Sequence, residues 1–473
     1  MLNFDKYGKA ATALRFFEEF SKIPHGSGNV GAITDYIVDF AKARGLFYTR
    51  DSANNVLIRK SATPGYENRP TVIFQGHTDM VAVKTADTDI DMEKDGLDLY
   101  IDGDFLRARG TSLGGDDGVA IAYALAILDS DSIQHPEFEA IFTSDEETGL
   151  EGAAAMDCSS VKGRYLINID SDCEGIFTVG CAGGIRVDAC FPTKRSAYGA
   201  YAYKLKLDGL LGGHSGTEIG KGRLNAIKEL NTAISQIPGA RLVSFTGGTF
   251  DNVIPCSAEA VIRTEKEIDN SGAFSAEFIE ARRQSEPNIT FEIAELCDTA
   301  TPLDESCNEK FISAINSTPT GVVAMSSDIP GLVETSLNLG TLQVTEDAVR
   351  VTYSIRSSKE KDKSELEGHI TRILSSFGAE VSSRNGYPAW EYKRDSYLRE
   401  HMCKVYRELY GKDAEVITIH AGLECGLFSN KIEGLECVSV GPDNYDIHTT
   451  EERLSLSSFE RVYEYLTEVL KTI

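Results

Sequence analysis

The sequence predicts an α/β protein: a mostly parallel-sheet domain interrupted by an inserted α+β domain of duplicated ferredoxin-like units. Three observations carry this. Up to about residue 180, short apolar runs alternate with amphipathic stretches, the pattern of doubly buried strands joined by helices. After Gly183-Gly184 the strands alternate in polarity instead, as half-exposed strands do. From Tyr397 the first character returns.

In chain order, the first stretch predicts helices over 10–22 and 32–44, with Pro24 and a Gly-rich segment between them. Strands follow at 47–50, 56–59 and 71–75, then a hairpin over 94–108 turning at Asp102-Gly103. Gly114-Gly115-Asp116-Asp117-Gly118 opens an Ala-rich helix over 119–128, and apolar runs at 138–143 and 165–169 read as strands. The second stretch reads as strand 200–207, helix 224–237, strands 241–246 and 258–264, helix 273–283 and strand 289–293. A similar order recurs: helix 311–316, strands 336–343 and 348–357, helix 363–377, strand 380–383. Two successive units of this kind match a duplicated ferredoxin-like motif by element order alone. The last stretch predicts helix 397–410, strands 415–419 and 436–440, and helix 458–471. The domain boundaries read 1–185, 186–390 and 391–473.

Composition narrows function. The chain has 73 Asp+Glu against 47 Lys+Arg, a net charge of −26. That field repels phosphate backbones and anionic lipid, so nucleic-acid and membrane-surface partners are not expected. No apolar run spans a bilayer, and Met1–Lys6 lacks a signal-peptide profile. Ten scattered Cys without a Cys-x-x-Cys point to free thiols and a cytoplasmic protein.

The chemistry-bearing residues sit at predicted strand and helix ends, where ligands gather in open α/β sheets. His77 and Asp79 leave the strand 71–75 within Gly76-His77-Thr78-Asp79-Met80. Asp116 stands at a helix N-terminus, Glu146 and Glu147 follow strand 138–143, Asp170 ends strand 165–169, and His448 follows strand 436–440. Each has an ordinary alternative: a satisfied His, an N-cap, a solvated acidic loop. Together they make a two-metal carboxylate/imidazole site. Without thiolates it suits Zn²⁺, Mn²⁺ or Co²⁺. Two ions need one bridging carboxylate and a general base for the water they activate.

The segments GHTDM, GTSLGGDDG, DEETG and INIDSD and the late Ile447-His448 resemble the di-zinc aminoacyl-histidine (Xaa-His, carnosine-type) dipeptidases, relatives of acetylornithine deacetylase and glutamate carboxypeptidase. GCAGG at 180–184, GGHSG at 212–216 and HAGLECGLF at 420–428 extend the likeness over nearly the whole chain. The resemblance implies a catalytic domain with an inserted lid, two bound divalent ions (Zn²⁺ foremost) and hydrolysis of small peptides with Xaa-His preference. It implies His77 and Asp170 on one ion, Glu147 and His448 on the other, and Asp116 bridging. Asp79 would orient His77, and Glu146 would be the general base. His214 would polarise the scissile carbonyl when the domains close. Asn252 and Arg356 would hold the substrate backbone and carboxylate, and His420 and Glu424 would lie near the substrate. Asp117 replaces a more usual neutral residue and is expected to point away from the ions. A homodimer through the lid is a further expectation. The alternatives are a broad dipeptidase, an N-acyl amino-acid deacylase, a non-catalytic metal-binding protein, or a nucleotide-binding oxidoreductase. The last would use Gly26-Ser27-Gly28-Asn29-Val30-Gly31, but a helix and Pro24 precede that segment where the dinucleotide fingerprint needs a strand. Asp87, Asp89 and Asp91 imitate an EF-hand loop, with Met92 where Gly is required. His25, His135, His369 and His401 read as structural or exposed.

Overall fold

The computed structural model describes residues 2–268, 272–297, 300–327 and 329–473. Two units divide the chain. One runs to Gly180 and resumes over Tyr392–Thr418 and Leu423–Ile473; the other comprises Cys181–Glu391 and Ile419–Gly422. The first boundary falls before the expected 185/186, because the strand Gly183–Pro192 is bonded on both sides within the inserted unit. The Ile419–Gly422 segment joins that unit without any sequence signal: the Ala182 amide donates to the carbonyls of Ile419 and Ala421, each at 3.1 Å.

The first unit is built on an eight-stranded sheet. Its middle strands, Phe138–Thr143, Val72–His77, Tyr165–Asn168 and Glu436–Ser439, run parallel. Strands Phe47–Arg50, Val56–Lys60 and Ile176–Cys181 add antiparallel pairings outside them. Register levels the strand ends: His77 pairs with Thr143, and Gln75 with Asn168. The residues that follow each strand therefore emerge along one edge. Helix Gly115–Asp129 has buried side chains from Asp117 through Leu128. It has no polar face, as a central helix must. It packs with Phe17, Phe20, Phe74 and Phe459 in one core. The predicted hairpin is present as Leu99–Asp102 and Phe105–Ala108, and it pairs with Arg453–Ser455, which in turn pairs with Asn444–Tyr445. This small sheet holds the loop carrying His448. Among the described residues no helix is long and apolar enough to cross a membrane.

The inserted unit has its own core and a nine-stranded sheet. One ferredoxin-like repeat contributes Tyr201–Asp208, Arg241–Gly247, Ala258–Thr264 and Thr290–Leu296, with helices Ala226–Ser235 and Ala273–Glu280. The other contributes Gly183–Pro192, Val333–Val344, Ala348–Ser357 and Glu380–Tyr387, with helices Glu305–Ser317 and Glu360–Ser376. The second strands of the repeats meet at Thr246 and Gln343, so one antiparallel sheet runs through both. The repeats are nested, not successive as expected: one lies between the first strand and first helix of the other. That first strand was missed although Val187, Ala189 and Phe191 alternate with Arg186, Asp188 and Cys190. The Gly-rich Gly180–Gly184 reads from sequence as a family motif and a change of pattern, and neither signals the strand that begins at Gly183.

Candidate active site

His77 ends its strand fully buried. Its Nδ1 lies 2.9 Å from the Asp79 main-chain carbonyl, so Nδ1–H donates there and Nε2 faces Asp116 Oδ1 at 3.0 Å. The Asp79 carboxylate, at 3.5 Å from Nδ1, also accepts from Ser27 Oγ (2.8 Å) and from the amides of Glu146 (3.0 Å) and Glu147 (3.3 Å). Asp79 thus ties the imidazole to the acidic turn after strand Phe138–Thr143. Burial opposes its charge, but the bonds from His77, Glu146 and Ser27 hold its carboxyl at about 2.

Asp116 sits in the turn Gly114-Gly115-Asp116-Asp117 ahead of the regular helix, where the Asp116–Asp117 peptide is cis. Its second oxygen faces His448 Nε2 at 3.1 Å. His448 Nε2 is also 2.7 Å from Glu147 Oε1. Asp170 Oδ2 is buried with no hydrogen-bond partner among the described residues. Among the described residues donor atoms converge in three sets, each with every atom within 4.8 Å of the others: His77, Asp116 and Asp170; His77, Glu146 and Glu147; Asp116, Glu147 and His448. One carboxylate shared by two imidazoles, with acidic neighbours and no thiolate, fits two hard-to-borderline divalent cations. A buried, unpartnered carboxylate oxygen such as Asp170 Oδ2 fits the same ions, since its burial is otherwise uncompensated.

The electrostatics follow from crowding. Burial, then the Glu424, Glu147 and Asp116 carboxylates, push the Glu146 carboxyl up to about 8. Burial and Asp116 raise Asp170 well above the ordinary carboxylate range. Bonds from Asp116 and Glu147 lift His448 to about 10. A cation would relieve each of these.

Asp117 Oδ2 accepts from the His77 amide at 3.2 Å, and its Oδ1 accepts from Ala120 N at 3.3 Å. It locks strand to helix beneath the site. A Cβ on Gly76 would meet both Ala120 Cβ and Asp117 Oδ2 at 2.2 Å. Gly76→Ala is therefore expected to cost about 1–3 kcal/mol of stability, as overpacked cores do, measured by denaturant unfolding.

Glu424 lies fully buried at the start of helix Glu424–Lys431. Its Oε2 accepts from Gln75 Nε2 and from Thr143 Oγ1 at 2.8 Å. It supports the strand ends beneath His77, a role its motif does not show. Burial raises its carboxyl to about 7.

The remaining predicted residues belong to the inserted unit. His214 stands on a short strand paired with Val253–Ile254. The Thr217 amide donates to its Nδ1 at 3.2 Å, which leaves the proton on Nε2. Burial, then Arg356, lowers its pKa, so the ring is a neutral donor. The Asn252 carbonyl accepts from the Ser215 amide at 2.8 Å and helps set that loop. Arg356 is 5% exposed; its Nη1 donates to Tyr387 Oη at 2.8 Å, and its Nε has no partner. Among the described residues no carboxylate pairs with it. His420 Nε2 is 2.7 Å from Ser336 Oγ, and burial followed by Arg356 lowers its pKa to about 4.

Several supporting residues escaped the sequence reading. Ser27 comes from the Gly-rich segment set aside as a dinucleotide fingerprint; His25, read from sequence as structural or exposed, is buried, its carbonyl accepting from Met80 N at 3.1 Å. Glu452 bonds the Asp116 turn. The spacing His448-x-x-x-Glu452 was the available signal.

The sequence profile of peptidase family M20/M25/M40 matches residues 73–472. The chain is 35% identical over 467 residues to the cytosol non-specific dipeptidase of Escherichia coli K12, covering 97% of this chain and 96% of that one. Its fold matches the crystal structure of an aminoacylhistidine dipeptidase from Vibrio alginolyticus with a TM-score of 0.90 at 35% identity, over 98% of this chain and 96% of that one. The aminopeptidase PepT of Bacillus cereus, at 16% identity and a TM-score of 0.59, shares the fold over 98% of both chains. With a profile match over most of its length and a relative covering nearly all of it, the chain belongs to peptidase family M20/M25/M40.

Proposed function

We propose that this peptidase hydrolyses dipeptides with two divalent metal ions, Zn²⁺ foremost and Mn²⁺ or Co²⁺ as substitutes, and prefers an Xaa-His substrate. The observation that carries this is Asp116, whose two oxygens face the Nε2 atoms of His77 and His448. His77 and Asp170 would hold one ion, Glu147 and His448 the other, with Asp116 between them. Ions held there would supply polarisation of a peptide carbonyl and a water molecule whose pKa is lowered towards neutrality.

Glu146 takes the water's proton and delivers it to the leaving amine. Asp79 keeps His77 oriented. His214 donates from Nε2 where the oxyanion develops. Arg356, buried without a carboxylate, takes the substrate's carboxylate, with Asn252 and His420 beside the substrate backbone. Arg356→Met is expected to raise KM about 10–100-fold with a smaller change in kcat, the effect of losing a charged hydrogen bond worth about 1.5–3 kcal/mol. Steady-state kinetics on a dipeptide and on its C-terminal amide would check this, because the amide already lacks the carboxylate. The cytoplasm as location and a dimer through the inserted unit belong to the same proposal.

The name of the Vibrio protein supports an Xaa-His preference, while that of the equally similar Escherichia coli protein supports a broad dipeptidase. Assays of the metal-loaded enzyme on β-alanyl-histidine, a dipeptide panel, a tripeptide and an N-acetyl amino acid decide between them. Cleavage of the N-acyl compound alone would overturn the dipeptidase reading.

A further inference from the structure

Glu452 is 3% exposed and lies in the loop that carries His448, before strand Arg453–Ser455. Its carboxylate gathers five N–H donors. Oε2 accepts from Leu113 N at 2.7 Å and Gly114 N at 3.0 Å. Oε1 accepts from Gly115 N at 2.9 Å, Asp116 N at 3.4 Å and Asn444 Nδ2 at 3.1 Å. No cationic side chain pairs with it among the described residues.

The turn is shaped for this grip. Gly114 has φ +69°, and a Cβ there would come 2.9 Å from Met80 Sδ; a Cβ on Gly115 would come 2.7 Å from Asn444 Nδ2. Successive amides curled this way form a concavity that binds anions. Here the chain's own carboxylate fills it. A buried carboxylate is costly unless fully bonded, and one loop approaches Asp116 from two directions. His448 faces its Oδ2, and Glu452 bonds its main-chain amide.

We propose that Glu452 is the positioning residue of the bridging carboxylate: by clamping the Leu113–Asp116 amides it sets Asp116 with one oxygen towards each metal site. This rests on the two-metal reading above. Its role is metal affinity rather than mere stability of the fold, because the clamped turn presents Asp116 and the clamping loop presents His448.

The test is Zn²⁺ titration of metal-free protein against a competing chelating dye, alongside its thermal unfolding. Wild-type protein is expected to bind two ions. Glu452→Gln, which turns an amide group onto the amide donors, is expected to weaken the second ion about 10–100-fold, the usual effect of losing a ligand's supporting bond. Glu452→Asp, which keeps the charge and loses reach, should fall between. If Glu452→Gln lowers the unfolding midpoint but binds both ions as tightly as wild type, the role is structural and the proposal fails. If wild type binds no second ion, the two-metal reading fails first. Should neither variant fold, hydrogen–deuterium exchange of metal-free wild type decides: slow exchange over 113–116 supports the clamp, and free exchange overturns it.

Discussion

Glu146→Gln is expected to lower kcat by about 10²–10⁴-fold, the contribution of a positioned general base, while two metal ions stay bound. The substitution keeps the side chain's size and removes only its capacity to accept a proton. Its main chain stays fixed, because the Glu146 amide donates to Asp79. The measurement is kcat on a dipeptide together with metal stoichiometry by elemental analysis. Glu146 also falls in a donor set with His77 and Glu147, so the stoichiometry matters: loss of an ion would make Glu146 a ligand and sink the base assignment. The pH profile gives a second check. The base works deprotonated, so activity rises with pH through its pKa. Cations beside the carboxyl pull that pKa below the value of about 8 it has without them. The acid limb of the wild-type profile should therefore lie below about 8 and be absent from the variant's residual activity.

Removal of the metal ions by a chelator is expected to abolish hydrolysis and to make stability fall with rising pH. Without cations, Asp116, Glu146, Glu147 and Asp170 crowd one another. Glu146 goes from an ordinary 4.5 to about 8 on folding, so the folded state binds the extra proton between those values. Stability from such a group is present at low pH and lost as pH rises through 8. His448, raised from 6.5 to about 10, acts in the same direction: its contribution is complete below 6.5 and lost towards 10. The unfolding midpoint of metal-free protein should decline between about pH 5 and pH 9. Metal-loaded protein should lack that decline, since ions replace the protons, and ligand at 100 times its Kd adds about 2.7 kcal/mol. An unchanged activity after chelation, or equal midpoints across that pH range, would contradict the two-metal proposal.

Much of the site was readable because its residues follow strands whose apolar runs are unambiguous. His77 follows Val72-Ile73-Phe74, the acidic turn follows Phe138–Thr143, and Asp170 follows Tyr165–Asn168. Once parallel pairing is inferred, their convergence follows from strand direction. Glu452 and Ser27 were not readable in this way. A carboxylate that bonds amides a few hundred residues distant has no periodicity, and Ser27 lies in a Gly-rich loop whose literal motif pointed to another chemistry. Glu424 was legible by motif, but its role was not. Nothing in its neighbours shows that Gln75 and Thr143 enclose it.

The sequence by itself determined the α/β class, the interrupted domain, and the His and carboxylate types available at strand ends, because hydrophobic period and residue chemistry are local properties. Only the tertiary structure decided the nesting of the two repeats, the strand Gly183–Pro192 that opens one of them, the assignment of Ile419–Gly422 to the inserted unit, and which oxygen of Asp116 meets which histidine. Those are matters of register and hydrogen bonding between segments far apart in the chain. A main-chain bond such as that from Ala182 to Ile419 ties such segments together without leaving a trace in local composition.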